Sequence, residues 1–119
     1  MLKKILVCDD EESIRLLLTE ALKENYEVIE AADGREALSI IDREPFDLII
    51  MDIKMPHTHG LEVIERIRSK NNEIPLVVCS AYRLMEDDIV IKTSDVAAFF
   101  TKPLDVKALK MKIYELIGD

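Results

Sequence analysis

The stretch LIIMD at residues 48–52 places four apolar residues directly before an aspartate. An unbroken apolar run of this length is typical of a strand that is covered on both faces of a parallel sheet. A carboxylate at the end of such a strand is costly unless it is paired, bound to a metal or reactive. We therefore expect Asp52 to have charged partners, and the ends of the other strands are the places to look for them.

Two patterns alternate along the rest of the chain: short apolar runs, and longer segments whose apolar residues recur at helical spacing. This alternation predicts βα units, and right-handed crossovers make the strands parallel. The sequence therefore predicts an α/β fold, a doubly wound five-stranded parallel sheet flanked by five helices. The predicted strands are 3–8, 26–30, 47–51, 74–79 and 97–101.

Four of the predicted helices have a clear apolar stripe, while the fourth in chain order is predicted within 84–93, where a strand-like run interrupts an acidic stretch. Met111 and Tyr114 lie off the stripe of the last helix, either as a partner surface or as scattered exposed hydrophobes. The helix residues expected to face the core are Ile14, Leu17, Leu18, Ala21 and Leu22, then Ala37, Leu38 and Ile41, then Val63, Ile64 and Ile67, and finally Val106, Leu109, Ile113 and Leu116.

Length and composition limit the number of domains and the kinds of partner that the protein can have. A chain of 119 residues that is 49% hydrophobic predicts one domain over 1–119. A net charge of -8 argues against direct binding to nucleic acid. No apolar run approaches the roughly 20 residues that cross a membrane, and the apolar start breaks on two acids, so we expect a cytoplasmic protein without a membrane span. Cys8 and Cys79 are expected to be free and buried, with a disulfide or a metal pair as the alternative.

Chemically useful residues follow the predicted strands. In a doubly wound sheet, ligands bind beyond the carboxyl ends of the strands, where the winding direction switches. Three carboxylates in one crevice repel one another, so they take up protons or recruit a hard cation such as Mg²⁺. A lysine and a hydroxyl beside that ion suit a phosphoryl group, and an aspartate can be its nucleophilic acceptor. The residues are Asp9 and Asp10 after strand 1, Asp52 after strand 3, Ser80 after strand 4 and Lys102 after strand 5.

The segments VCDDEESIR at 7–15, DLIIMDIKMPHTHG at 47–60, SAY at 80–82 and FFTKPLD at 99–105 resemble the receiver domain of bacterial two-component response regulators. The resemblance covers the whole chain. It implies that a sensor histidine kinase or a histidine phosphotransfer protein passes a phosphoryl group to Asp52. It also implies that the chain catalyses its own phosphorylation and slow dephosphorylation, without turnover of an external substrate.

The same resemblance implies a metal site. Mg²⁺ would be held by Asp10, Asp52 and the backbone carbonyl of Lys54, and Asp9 would assist through water. Asp9 and Asp10 could instead cap the first helix, since acids favour helix N-termini.

The resemblance further implies a conformational switch. Ser80 would move to bond the phosphoryl oxygen, and Phe99 matches the family's switch aromatic, which turns inward when Ser80 shifts. The surface that a partner protein would recognise after the switch would consist of the predicted helix within 84–93, the fifth strand and the last helix. Strand alternation places Phe99 and Phe100 on opposite faces, and Phe100 is the one expected in the core. The Lys102–Pro103 peptide bond is a candidate for the cis form.

The chain departs from the family pattern in two loops. His57 and His59 stand where the family has a glycine-rich turn, either as a transition-metal clip or as solvated side chains. Asp95 occupies a usual glycine position and tolerates a left-handed backbone better than most residues. Lys54 and Tyr82 occupy positions that tune dephosphorylation in the family.

The sequence is also compatible with other functions and outputs. A phosphorylation-independent pseudo-receiver, acting as a protein-binding module, would keep the same core. A metal-dependent phosphatase with a nucleophilic aspartate is disfavoured, since it needs a second acid where Lys54 stands. DIKMP, SAYRLMED and TKPLD resemble single-domain relay regulators, apart from Phe99, where that type has histidine. The output would be a downstream protein target or a missing effector domain, and a phosphorylation-dependent homodimer stays open.

Overall fold

The fold follows the predicted alternation of strands and helices. A computed structural model of the protein describes residues 2–53, 60–70, 73–81 and 96–118. The strands are β1 (Lys3–Cys8), β2 (Tyr26–Ala31), β3 (Leu48–Met51), β4 (Leu76–Ser80) and β5 (Ala98–Thr101). The helices are α1 (Glu12–Leu22), α2 (Gly34–Arg43), α3 (Gly60–Lys70) and α4 (Val106–Ile117). The helix predicted within 84–93 lies outside the described residues, so α4 here is the last helix of the chain.

All five strands form one parallel sheet in the order β2-β1-β3-β4-β5. The winding direction reverses between β1 and β3, which is where ligands bind in sheets of this kind. At that point Cys8 pairs with Met51, so the residues that follow them, Asp9 and Asp52, leave the sheet side by side. The predicted doubly wound α/β fold is confirmed.

Helices cover both faces of the sheet and create two separate apolar layers. One layer packs α1 and α4 on residues such as Val7, Ile50 and Val77. The other packs α2 and α3 on residues such as Leu6 and Ile49. Alternate residues of the same strands enter opposite layers, which is why β1, β3 and β4 are apolar almost throughout.

The predicted burial of one residue of α1 and several predicted strand ends were wrong. Leu17 was expected on the core side of α1, but its side chain is 43% exposed, as is its neighbour Leu16 at 58%, while Leu18 is 1% exposed. Among the strands, β2 ends one residue later than predicted, and β3 and β5 each start one residue later. β4 ends at Ser80 rather than at 79, and it starts at Leu76 rather than at 74. Pro75 precedes that start and has no amide hydrogen for a ladder, although its carbonyl accepts a hydrogen bond from the amide of Ile49 at 3.0 Å.

The adjacent aromatic residues of β5 separate as the pleat requires. Phe99 packs against the α2–α3 layer and Phe100 against the α1–α4 layer. Both are half-buried, so the core takes a phenylalanine on each side of the sheet. Met111 and Tyr114 of α4 are 65% and 57% exposed, as their position off the stripe predicted.

Cys8 and Cys79 are both buried and neither forms a disulfide, as expected. They lie in opposite layers of the core. Burial raises the pKa of the Cys8 thiol, and burial also raises the pKa of Cys79 to about 12, so both thiols stay protonated at neutral pH. Within the described residues, no helix has the length and apolar character that a membrane span requires.

Candidate functional site

Backbone hydrogen bonds tie four strand ends together in two pairs at one edge of the sheet. The amide of Asp52 donates to the carbonyl of Cys8 at 2.9 Å, which ties the end of β3 to the end of β1. The amide of Lys102 donates to the carbonyl of Ser80 at 2.8 Å, which ties the end of β5 to β4. These bonds fix where each side chain leaves the sheet. Asp52 and Lys102, fifty residues apart in sequence, therefore face the same crevice.

The ammonium of Lys102 is the centre of a cluster of carboxylates. Its Nζ atom lies 2.9 Å from Oδ2 of Asp9, 3.2 Å from Oε1 of Glu11 and 3.3 Å from Oδ2 of Asp52. A lysine has three N–H donors and no acceptor. The three carboxylates therefore match its full donor capacity.

The cluster has a buried floor and an exposed rim. Asp9 and Asp52 are only 2% and 5% exposed, and Ser80 is 1% exposed. The side chain of Glu11, in contrast, is 53% exposed, and Asp10 is also exposed. Charges on the floor are screened little by water, while those on the rim are screened strongly.

The environment shifts the pKa values of the paired groups. Burial raises the pKa of Asp9, and the hydrogen bonds from Lys102 and from the Glu11 amide offset part of that increase. Burial alone would lower the pKa of Lys102, but its hydrogen bond to Asp9 and the charges of Asp52 and Asp9 outweigh this, so the pKa is raised. Lys102 therefore stays positively charged throughout the physiological range.

The acids at this edge fit a divalent cation. Carboxylate oxygens of Asp9, Asp10, Glu11 and Asp52 can lie within 4.8 Å of one another. Oxygen ligands with excess negative charge are the set that Mg²⁺ prefers, and such an ion usually needs only one or two carboxylates from the protein. The donor set therefore fits the expected ion, and Asp10 and Asp52 are suited to hold it. The third expected ligand, the carbonyl of Lys54, lies outside the described residues.

Asp9 has a local role as well, although it is not the helix cap that was considered. Its Oδ1 atom accepts a hydrogen bond from the Glu11 amide at 2.9 Å, and its carbonyl accepts one from Arg15 at 2.7 Å. The N-cap residue of α1 is Glu11, whose side chain makes no capping hydrogen bond. Both the side chain and the carbonyl of Asp9 are thus hydrogen-bonded locally, and its Oδ2 contacts Lys102.

The structure brings together most of the residues that the sequence selected, and it adds one. Asp9, Asp10, Asp52 and Lys102 meet in one crevice, with Ser80 at the adjacent strand end. Glu11 was not selected, although it is the third acid of the run DDEE at residues 9–12. The remaining positions of interest lie outside the described residues: Lys54, His57, His59, Tyr82 and Asp95. The Lys102–Pro103 peptide bond is cis.

The family model for the response regulator receiver domain matches residues 5–114 of this chain. That match includes all five strands and all four described helices, apart from the first two residues of β1 and the last three of α4. The chain belongs to the response regulator receiver domain family. The strand-end acids, Ser80 and Lys102 therefore belong to a receiver domain of two-component signalling.

Curated relatives fall into two kinds. The receiver is 34% identical over 113 residues to sporulation initiation phosphotransferase F of Bacillus subtilis, covering 92% of this chain and 90% of that protein. It is also 34% identical over 118 residues to the alkaline phosphatase synthesis transcriptional regulatory protein PhoP of the same organism, covering 98% of this chain but only 49% of PhoP. Similarity thus extends both to a protein of similar length and to one about twice as long.

Solved structures confirm the receiver fold. The response regulator TrrA of Thermotoga maritima, in complex with Mg²⁺ and beryllofluoride, superposes with a TM-score of 0.89 at 38% identity, covering 98% of this chain and all of TrrA. The chemotaxis response regulator CheY4 of Vibrio cholerae gives a TM-score of 0.89 at 30% identity, with 98% of this chain and 100% of CheY4 covered.

Proposed function

We propose that residues 1–119 form one receiver domain that accepts a phosphoryl group on Asp52. The observation that carries this proposal is the position of the Asp52 carboxylate: at the end of β3, 5% exposed, and 3.3 Å from the ammonium of Lys102. A buried nucleophile beside a fixed positive charge is the arrangement that phosphoryl transfer to a carboxylate requires.

In the proposed reaction, one carboxylate oxygen of Asp52 attacks the phosphorus of a phosphohistidine. The new O–P bond forms as the P–N bond of the donor breaks, and the leaving imidazole keeps the electron pair of that bond and takes up a proton. The product is an aspartyl phosphate. Lys102 would stabilise the negative charge on the phosphoryl oxygens, since its ammonium already lies within ion-pair distance of Asp52.

Mg²⁺ would be held by Asp10, Asp52 and the carbonyl of Lys54, with Asp9 assisting through water, as the resemblance to receiver domains implies. When bound, the ion would supply positive charge that balances the carboxylates and the phosphoryl oxygens. The close group of acids supports this assignment. TrrA, the relative described above, was crystallised with Mg²⁺ and beryllofluoride, which is consistent with the same chemistry in this family.

The proposed readout is a movement of Ser80 and Phe99. Ser80 ends β4 and pairs with Thr101 of β5, while Phe99 pairs with Val78 and packs on the α2–α3 layer. A hydroxyl drawn towards a phosphoryl group on Asp52 would disturb the packing beside Phe99. The affected surface would comprise β5, α4 and the segment predicted as a helix within 84–93.

The proposed partners are a histidine kinase or a histidine phosphotransfer protein as donor, and a downstream protein or an effector domain as target. The two kinds of relative support both outputs: a phosphotransferase of similar length and a transcriptional regulator about twice as long. We expect these partners in the cytoplasm, since buried cysteines that form no disulfide are common in reducing compartments.

The test is intact-protein mass spectrometry after incubation with Mg²⁺ and a small acyl phosphate. The parent should gain one phosphoryl group, and Asp52→Asn should gain none under the same conditions. Asp47→Asn is the matched control, because Asp47 is exposed and lies at the opposite end of β3. Equal uptake by the parent and by Asp52→Asn would refute the proposed acceptor, and no uptake by the folded parent would refute the proposed function.

A further inference from the structure

Glu11 is an extra anion at the site, and the receiver chemistry proposed above does not assign it a role. Its Oε1 atom lies 3.2 Å from Nζ of Lys102. Its carboxylate belongs to the same close group as those of Asp9, Asp10 and Asp52. Its side chain is nevertheless 53% exposed, in contrast to the two buried acids that also contact Lys102.

The donor capacity of Lys102 makes this contact important. Three N–H groups face three carboxylates, at 2.9 Å, 3.2 Å and 3.3 Å. A phosphoryl oxygen on Asp52 can gain a hydrogen bond from Lys102 only if one of these contacts is released or shared. The acceptor that is released must then be solvated by water.

The cost of release differs among the three acceptors. Asp9 stays ionised and is almost fully buried, so loss of the ammonium would leave a buried charge without its cation. In the aspartyl phosphate, the negative charge at Asp52 lies on the phosphoryl oxygens, so the contact of Lys102 with Asp52 passes to the phosphoryl group instead of being released into water. Glu11 lies at the rim, where water can replace the ammonium at little cost. Glu11 is therefore the acceptor that Lys102 can give up most easily.

Glu11 also adds negative charge where the phosphoryl group must enter. The four acids carry four negative charges when ionised, against three positive charges from Lys102 and one Mg²⁺. An incoming phosphoryl group is itself anionic, so the fourth carboxylate opposes its approach.

We propose that Glu11 is a positioning residue that holds Lys102 before phosphorylation and competes with the phosphoryl group for its ammonium. Glu11 does not touch the reacting phosphorus; it acts through Lys102. The proposal rests on the proposed function, since it assumes that the phosphoryl group arrives on Asp52. In functional terms, Glu11 lowers the fraction of receiver that is phosphorylated at a given donor concentration.

The test compares Glu11→Gln, which removes the charge and keeps the shape, with Glu12→Gln, which changes the net charge equally. Glu12 is the next acid in the chain, is exposed, and is outside the close group of four. The probe is beryllofluoride, titrated at saturating Mg²⁺ and followed by NMR, and Mg²⁺ alone is titrated in parallel. Asp52→Asn provides the negative control for the acceptor.

The two titrations should change in opposite directions. In Glu11→Gln, beryllofluoride should bind about five-fold more tightly, the upper range for loss of one exposed ion pair, while Mg²⁺ alone should bind somewhat more weakly because a nearby charge is gone. General damage to the site would weaken both. Unchanged or weaker beryllofluoride binding in Glu11→Gln would overturn the proposal, and so would equal tightening in Glu12→Gln. Absence of beryllofluoride binding by the parent would instead overturn the proposed function, and the role of Glu11 with it.

Discussion

The Nζ atom of Lys102, just after β5, lies 2.9 Å from Oδ2 of Asp9, just after β1, and the two side chains are 10% and 3% exposed. This ion pair joins an edge strand of the sheet to a central one across β3 and β4. Asp52, at the end of β3, lies between these two elements and contacts the same ammonium. Asp52, the proposed phosphoacceptor, thus lies in a cluster of charged side chains that the fold itself positions.

Removal of the Lys102 charge should destabilise the protein and make it more dependent on Mg²⁺. In Lys102→Met, Asp9 and Asp52 lose a cation that they contact in the interior, at a cost of about 2 kcal/mol in the free energy of unfolding. Mg²⁺ should recover part of that loss, since it stabilises the folded state by binding it. Urea unfolding with and without Mg²⁺ measures both effects.

Lys107→Met is the control for that experiment, because Lys107 is an exposed residue of α4 and its loss should change stability by less than about 0.5 kcal/mol. Equal losses of stability in the two variants would contradict the role of Lys102 as the cation that neutralises Asp9 and Asp52. So would a stabilisation by Mg²⁺ that is no larger in Lys102→Met than in the parent.

Asp10 should contribute to Mg²⁺ affinity much more than to stability. It is exposed, so Asp10→Asn removes little packing, but it removes a charge from the close group of acids. Because site charge sets the affinity for hard cations, we expect Mg²⁺ to bind about tenfold more weakly. Isothermal calorimetry measures this, with Glu12→Gln as the charge-matched control. Asp10 is not a ligand if the two variants bind Mg²⁺ equally.

Leu17 and Leu18 offer a direct test of how α1 packs. Leu18 is 1% exposed in the α1–α4 layer, whereas Leu17 is 43% exposed. Leu18→Ala should lower the free energy of unfolding by about 3 kcal/mol, and Leu17→Ala by less than about 1 kcal/mol. Chemical denaturation of both variants measures the difference. A reversed order would mean that α1 is rotated relative to the sheet.

Alkaline pH should destabilise the fold through its buried thiols. The pKa of Cys79 is raised to about 12 and that of Cys8 is also raised, while an unfolded cysteine ionises near about 8.5. The unfolded state therefore releases protons that the folded state keeps. Their contribution to stability is present in full below about pH 8.5 and is lost as pH rises, by about 1.4 kcal/mol per pH unit for each thiol.

Urea unfolding of the parent and of Cys79→Ala, measured between neutral pH and about pH 10, checks this expectation. The variant is less stable overall because it loses packing, so the informative quantity is the slope against pH, which should be shallower in the variant. Identical slopes would show that the thiol of Cys79 does not titrate differently in the two states.

The sequence predicted the order of the elements well because the strand runs are almost purely apolar and the helical stripes are regular. The predicted ends of β1 agree with the structure. The orientation of α1 was less accurate: LLL at residues 16–18 offers several faces, and only packing against α4 and β1 selects Leu18 and exposes Leu17. An apolar run in a helix does not by itself define which residue is buried.

In the candidate site, too, some residues could be predicted from the local sequence pattern, while another is brought into place only by the tertiary structure. Asp9, Asp52 and Lys102 could be chosen from sequence because each directly follows an apolar strand. Glu11 could not, since the acid run at residues 9–12 contains four similar candidates. Only the path of the chain into α1, fixed by the hydrogen bond from the Glu11 amide to Asp9, brings its carboxylate to Lys102.

Asp9 is the strongest competitor of Asp52 for the role of phosphoacceptor, since it is equally buried and lies closer to Lys102. The most direct test is therefore the identification of the modified residue. The protein is first phosphorylated with a small acyl phosphate donor and Mg²⁺. The aspartyl phosphate on the protein is then reduced with hydride, and the peptides are sequenced by mass spectrometry. We expect the reduced residue, homoserine, at position 52 alone, and none there in Asp52→Asn. Homoserine at position 9 or 10 in the parent would contradict Asp52 as the acceptor.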